Sequence, residues 1–156
     1  MIDAQSPPEA GSPLHGYRRC LPHWRLDGAT YFVTWKLHDG QPELAADERT
    51  LVASALRHFE EVRYRLLAFV VMDDHVHVLV RPKPGVALES VVNSWKSFTT
   101  NQLHRLGRRG RVWQVEYHDR IVRSQDELLQ KAHYIWTNPQ RRWPDGHDYE
   151  WVWMQA

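Results

Sequence analysis

YRLLAFVVMDDHVHVLVR, residues 64–81, reads as two strands joined by a tight turn at Asp73-Asp74. Both arms are rich in β-branched and aliphatic side chains, which pack well on a pleated surface. Aspartate suits the turn because its carboxylate can bond the local backbone. Pro82, Pro84 and Gly85 end the second arm. Upstream, Pro42 and the acids after it open a helix over about 44–63, with Leu44, Leu51, Leu56 and Phe59 on its apolar side. Before that helix, ATYFVTWKL at 29–37 is a β-branched and aromatic strand. Downstream, residues 87–106 form a second helix carrying Leu88, Val91, Val92, Trp95, Phe98 and Leu103. The basic loop Gly107-Arg108-Arg109-Gly110-Arg111 and a short strand around Arg120 to Arg123 follow. Ser124 and Glu127 make a capping box at the head of a last helix, which Pro139 is expected to stop after Asn138. Strands and helices mix without a regular βαβ series. That pattern predicts an α+β fold: a central antiparallel sheet with helices packed on it, in a ferredoxin-like or RRM-like arrangement. Residues 1–13 (MIDAQSPPEAGSP) are Pro-rich and polar and are expected to form a disordered tail, leaving 14–156 as a single domain.

A chain of 156 residues can bury a core without disulfide or metal staples. Its one cysteine, Cys20, has no internal partner, which favours a reducing compartment. The longest strongly apolar run, Leu66 to Met72, is too short to span a bilayer. Residues 1–13 lack the basic start and apolar stretch of a signal peptide. A cytoplasmic protein with no membrane partner is therefore expected. The net charge of +1 is not that of a strongly basic nucleic-acid binder. The bases are nonetheless clustered, at Arg18 and Arg19, at Arg105 to Arg111, at Arg120 and Arg123, and at Arg141 and Arg142. Only Lys36, Lys83, Lys96 and Lys131 are lysines. Arginine predominates where planar, bidentate phosphate contacts are wanted, although an Arg-rich solvated surface looks the same in sequence. Eight tryptophans divide between core positions and platforms on which unpaired bases could stack.

His75-Val76-His77 lies on the second arm of the hairpin. Alternation along a strand puts both imidazoles on one face and Val76 and Val78 on the other. Two adjacent neutral imidazoles can chelate one divalent metal, and Asp73 or Asp74 could add a carboxylate. Two histidines on a solvated sheet face, beside aspartates that only make the turn, fit the same residues. On the last helix, Glu127, Lys131, Tyr134 and Asn138 make one stripe, while Leu128, Ala132 and Ile135 make another that suits the core. Tyr134 is thus free to be an exposed phenol, a nucleophile if a cation lies nearby, with the Asn138 carbonyl one turn on. A tyrosine covering the edge of a core is the plainer alternative.

In order along the chain, YRRCLPHW, ATYFVTWKL, LLAFVVMDDHVHVLVRP, NSWKSFTTNQL, VWQVEYHDRIVRSQDEL and HYIWTNP resemble the REP-associated tyrosine transposases. These are relatives of the single-tyrosine transposases of small bacterial insertion sequences. The resemblance implies His75 and His77 as the metal-binding pair, Tyr134 as the nucleophile and Asn138 as a polar third ligand. It implies a divalent cofactor, Mg²⁺ or Mn²⁺, and cleavage and rejoining of single-stranded hairpin DNA through a 5′-phosphotyrosine. Lys96, Arg120 and Arg123 match basic positions of the family, and the loop carrying Arg105, Arg108, Arg109 and Arg111 suits a DNA backbone. A monomer or a homodimer fits the resemblance. Two segments depart from it. Met72-Asp73-Asp74 replaces the Met-Pro-Asn or Met-Pro-Asp that the family commonly shows, and Gln140-Arg141-Arg142-Trp143-Pro144 replaces a Val-Lys/Arg-Ala-Gly-Leu pattern. The alternative functions are a derived protein that binds hairpin DNA without cutting it, a His-x-His phosphodiesterase that activates water, and a replication initiator or relaxase.

Overall fold

In chain order the elements are β1 (Thr30–Lys36), α1 (Ala46–His58), β2 (Tyr64–Val71), β3 (His75–Pro82), α2 (Leu88–Arg105), β4 (His118–Val122), α3 (Gln125–Arg142) and β5 (Val152–Met154). They come from a computed structural model that describes residues 28–146 and 148–155. The expected tail at 1–13 and the segment YRRCLPHW lie outside the described residues. β2 and β3 form the hairpin read from the sequence, with Met72 N–H donating to His75 O at 2.8 Å. Every neighbouring pair is antiparallel, in the order β4-β1-β3-β2-β5. The first four strands have the ferredoxin-like order expected, and β5 extends the sheet beyond β2.

Strand alternation divides the core in two. Val76, Val78 and Val80 of β3, with Val33 and Trp35 of β1, face α1 and α2 and pack on Val52, Leu56, Val91, Val92 and Trp95. The opposite face carries α3, whose Leu128, Ala132 and Ile135 are fully buried on Leu67, Ala68, Val70 and Leu79. Each such leucine or isoleucine contributes roughly 1.5–3 kcal/mol by leaving water. An irregularity between Leu66 and Ala68 places both Leu67 and Ala68 on the α3 side, so β2 is buried on both faces.

Three elements differ from expectation. Helix α1 ends at His58 rather than near 63. Glu61 adopts a left-handed φ of 66°, and the buried Tyr64 hydroxyl donates to Leu56 O at 2.5 Å, satisfying a carbonyl of the last helical turn. Helix α3 runs through Pro139 to Arg142 instead of stopping at Asn138. Proline removes one donor, but its own carbonyl still accepts from Trp143 N–H at 2.8 Å. Side chains hold the extra turn: Arg141 donates to Tyr134 O and Thr137 Oγ1, and Arg142 reaches Asp73 Oδ2 at 3.0 Å and Glu43 Oε1 at 3.3 Å. Finally, the three-residue β5 was not expected. It is too short to show a periodicity and is defined by its pairing with Ala68 to Val70.

Candidate active site

The face that carries α3 also carries the histidines. Cα partners across the sheet place Thr34 opposite His77, Lys36 opposite His75, and His118 opposite Thr34. Side chains opposite one another share a face. Phe32, Thr34, Lys36, Asp74, His75, His77, His118, Lys131 and Tyr134 therefore line one open groove of about 670 Å³.

His77 is 6% exposed. Its Nδ1 lies 2.6 Å from Thr34 Oγ1, and its ring is stacked on Phe32 with centroids 5.3 Å apart. Its buried Nε2 has no hydrogen-bond partner among the described residues. Burial first, then the charges of His75, Lys36, Arg141 and Lys131, lower its pKa to about 3. The ring is thus neutral at physiological pH. In the tautomer whose Nδ1–H donates to Thr34, Nε2 carries a bare lone pair. His75 stands 4.6 Å away, centroid to centroid, with Nδ1 2.6 Å from Asp74 Oδ1. A histidine whose second ring nitrogen is held by a carboxylate or hydroxyl is oriented as metal-binding histidines are. An orphaned imidazole nitrogen beside a second, oriented imidazole fits a divalent cation. Among the described residues no group of three or more His, Cys, Asp or Glu side chains is placed to hold a metal ion together.

Tyr134 enters the groove from α3. Its ring meets His77 edge-on at 5.2 Å and Phe32 at 6.1 Å, and the Arg141 guanidinium lies 4.2 Å above it. The residue is 39% exposed, so its phenol is open to solvent. Tyr149 offers a contrast. Burial pushes its phenol up to about 12, and it donates to Val71 O, so it is a packing residue. Arg142 ties the end of α3 to Asp73, two residues before His75, and so fixes the tyrosine helix against the histidine turn.

The other expected residues are dispersed. Asn138 is buried one turn beyond Tyr134 and is not among the residues lining the groove. Lys96 donates to Gln114 O at 2.7 Å and Val115 O at 2.8 Å, and burial, with a smaller contribution from Arg111, lowers its pKa. Its ammonium holds the loop before β4. Arg108 points inward. Its side chain is 6% exposed, pairs with Glu48, and bonds Pro42 O and Glu43 O, so it braces α1 against the basic loop. Arg105, Arg109 and Arg111 are exposed. Val112 and Gln114, just after them, bond His38 and Lys36 at the end of β1 that carries Lys36. Arg120 pairs with Glu127 at 2.5 Å, and the Arg123 side chain is exposed. The capping box forms only in half: Ser124 accepts from Glu127 N–H, but the Glu127 carboxylate takes Arg120 and Arg123 N–H. Sequence reasoning did not place Phe32, Thr34, Lys36 or His118 at the site, and it placed Lys131 only on the tyrosine's stripe. Trp35, Trp95 and Trp113 are core residues, and no tryptophan among the described residues lines the groove.

Residues 44–138, more than half of the chain, match the sequence profile described as "Transposase IS200 like". The chain belongs to the IS200-like transposase family. Among solved structures it resembles a REP-associated tyrosine transposase bound to a REP hairpin, at 17% identity and a TM-score of 0.66, over 83% of this chain and 79% of that one. It also resembles a crystal structure from Deinococcus radiodurans R1 whose description proposes a transposase, at 20% identity and a TM-score of 0.53, over 69% of this chain and 88% of that one. At these identities the likeness is one of fold. No curated protein matches the chain in sequence. No helix among the described residues of this transposase is long and apolar enough to cross a membrane.

Proposed function

We propose that this transposase cuts and rejoins single-stranded or hairpin DNA through a covalent phosphotyrosine at Tyr134. One observation carries the reading: within a single chain, the Tyr134 ring stands 5.2 Å from His77 in the same groove as His75. The hairpin carried by the REP-associated relative supports hairpin DNA as the substrate. His75 and His77 would hold a divalent cation, Mg²⁺ or Mn²⁺, through their free ring nitrogens. Asn138 is the proposed third ligand, on the strength of its place one turn beyond Tyr134. Such a cation supplies Lewis-acid polarisation of the scissile phosphate and offsets the charge that builds on it.

The chain's own groups do the rest. Phe32, His77 and Arg141 hold the Tyr134 ring at the groove wall. The phenol oxygen forms a bond to phosphorus, its proton passing to solvent, as the bond from phosphorus to the 3′ oxygen breaks. That oxygen takes up a proton and leaves as a 3′-hydroxyl, while the 5′-phosphate stays on the tyrosine. Because the phosphodiester energy is kept, a 3′-hydroxyl from another strand reverses the step without ATP. Arg105, Arg109, Arg111, Arg120 and Arg123 would follow the strand outside the groove. A groove assembled from one chain supports action as a monomer, in the cytoplasm where DNA is accessible.

The test uses a 3′-labelled hairpin oligonucleotide copied from palindromic repeats flanking the gene. The wild-type protein should give a DNA adduct that survives denaturing electrophoresis, and Tyr134→Phe should give none while still shifting the hairpin in a native gel. An adduct formed by Tyr134→Phe rules out this nucleophile. Hairpin binding with no wild-type adduct selects the non-cutting alternative instead.

A further inference from the structure

The groove is positively charged beyond what an imidazole pair requires. Lys36 lies directly opposite His75 on the neighbouring strand, so both side chains rise from the same face. Lys131 stands one turn before Tyr134 on α3, with Nζ 5.0 Å from the centre of the Phe32 ring. Phe32 in turn touches both His77 and Tyr134. The two ammonium groups therefore flank the imidazoles from two different elements, one from the sheet floor and one from the helix wall. His118, at the end of the row His77–Thr34–His118, closes the third side.

Neither cation is held in an ion pair, although the Glu127 carboxylate, one turn before Lys131 on α3, feels its charge. Among the described residues neither Lys36 nor Lys131 takes part in an ion pair. Among the described residues Asp74 is the one carboxylate that lines the groove, and it is held by His75 Nδ1. Two ammonium groups set beside the imidazoles would oppose a metal cation arriving alone. A phosphate removes that conflict, because it supplies negative charge to lysine and cation alike.

We propose that Lys36 and Lys131 form a phosphate seat around the histidine pair, gripping the non-bridging oxygens of the scissile phosphate, and that this seat fills without metal. The inference rests on the groove being where DNA is cut, and it adds two residues that touch the reacting phosphate. Each ammonium is a point charge with rotatable donors, suited to a phosphate whose oxygens move as the bond order at phosphorus changes. Exposed lysines on a flat surface would be dispersed; here both line the groove that holds the phenol and the imidazoles.

The experiment measures binding of fluorescein-labelled pentathymidylate in EDTA by fluorescence anisotropy, to wild type, Lys36→Ala, Lys131→Ala, the double variant and Lys131→Arg. Each alanine should weaken binding about fivefold. Each should also lower the slope of log affinity against log salt by about 0.7. Lys131→Arg should restore most of the affinity. A pentathymidylate with uncharged methylphosphonate linkages should bind all variants alike. Ring-proton NMR signals of His75, His77 and His118 should move with the charged probe in wild type and stay still in the double variant. Unchanged affinity in the alanine variants, or equal losses with the uncharged probe, overturns the seat. The two readings fail separately. Lysine-dependent binding with no tyrosine adduct leaves the seat standing without the chemistry. An adduct at wild-type rate in the double variant leaves the chemistry standing without the seat.

Discussion

Acidification should unfold this protein partly through one residue, His77. The ring is 6% exposed, and burial together with neighbouring positive charges lowers its pKa from 6.5 to about 3. Once the chain unfolds, the imidazole is hydrated and titrates near its ordinary value of about 6.5. Between these two values the unfolded chain binds a proton that the folded chain does not. The contribution of His77 to stability is then fully present above about pH 6.5 and is lost as pH falls toward 3. One pKa unit corresponds to about 1.4 kcal/mol, so a fall from pH 7 to pH 4 should remove roughly 3 kcal/mol through this residue. That is a large share of a typical domain stability of about 5–15 kcal/mol. The assay is urea unfolding followed by tryptophan fluorescence from pH 4 to pH 8, for wild type and for His77→Leu, which fills the site without titrating. The wild-type profile should fall below the variant's as the solution is acidified. Parallel profiles, or a His77 ring-proton titration with its midpoint near 6.5 in the folded protein, would refute the argument.

Thr34→Val should leave the fold intact but release the His77 ring, lowering Mn²⁺ affinity about tenfold to a hundredfold by titration calorimetry; unchanged affinity would separate Thr34 from the site. Arg108→Ala should cost about 3–5 kcal/mol in denaturant unfolding, because it strands the largely buried Glu48 carboxylate, and a loss confined to DNA affinity would mean that Arg108 serves the DNA instead. Removing Arg109 and Arg111 together should lower the salt slope of single-strand binding by about 1.4 without moving the unfolding midpoint; an unchanged slope would take the basic loop out of the DNA path. Arg142→Ala should leave hairpin binding near wild type and slow adduct formation, since the links from α3 to the histidine turn and to Glu43 are cut, and adduct formation at wild-type rate would show that these links do not position Tyr134.

Local sequence already determined the hairpin at 64–81, the shared face of His75 and His77, and the separate stripe that carries Lys131 and the exposed Tyr134. Each follows from a period of two or of 3.6 residues, which the chain states for itself. The buried stripe of Leu128, Ala132 and Ile135 was legible for the same reason. What the chain could not state is which residues meet across long separations. Thr34 holds His77 only because β1 pairs with β3 in one register, and Lys36 and His118 join the groove only through the same pairing. Arg108 and Lys96 look like free cations in sequence, yet one is buried against Glu48 and the other is bound to two carbonyls. Pro139 reads as a stop, but Arg141 and Arg142 carry α3 past it with side-chain bonds, one of them to a turn sixty-nine residues away. Periodicity is a property of neighbours along the chain. The partners of a strand edge or a charged side chain are set by packing, which exists only once the sheet and its three helices have come together.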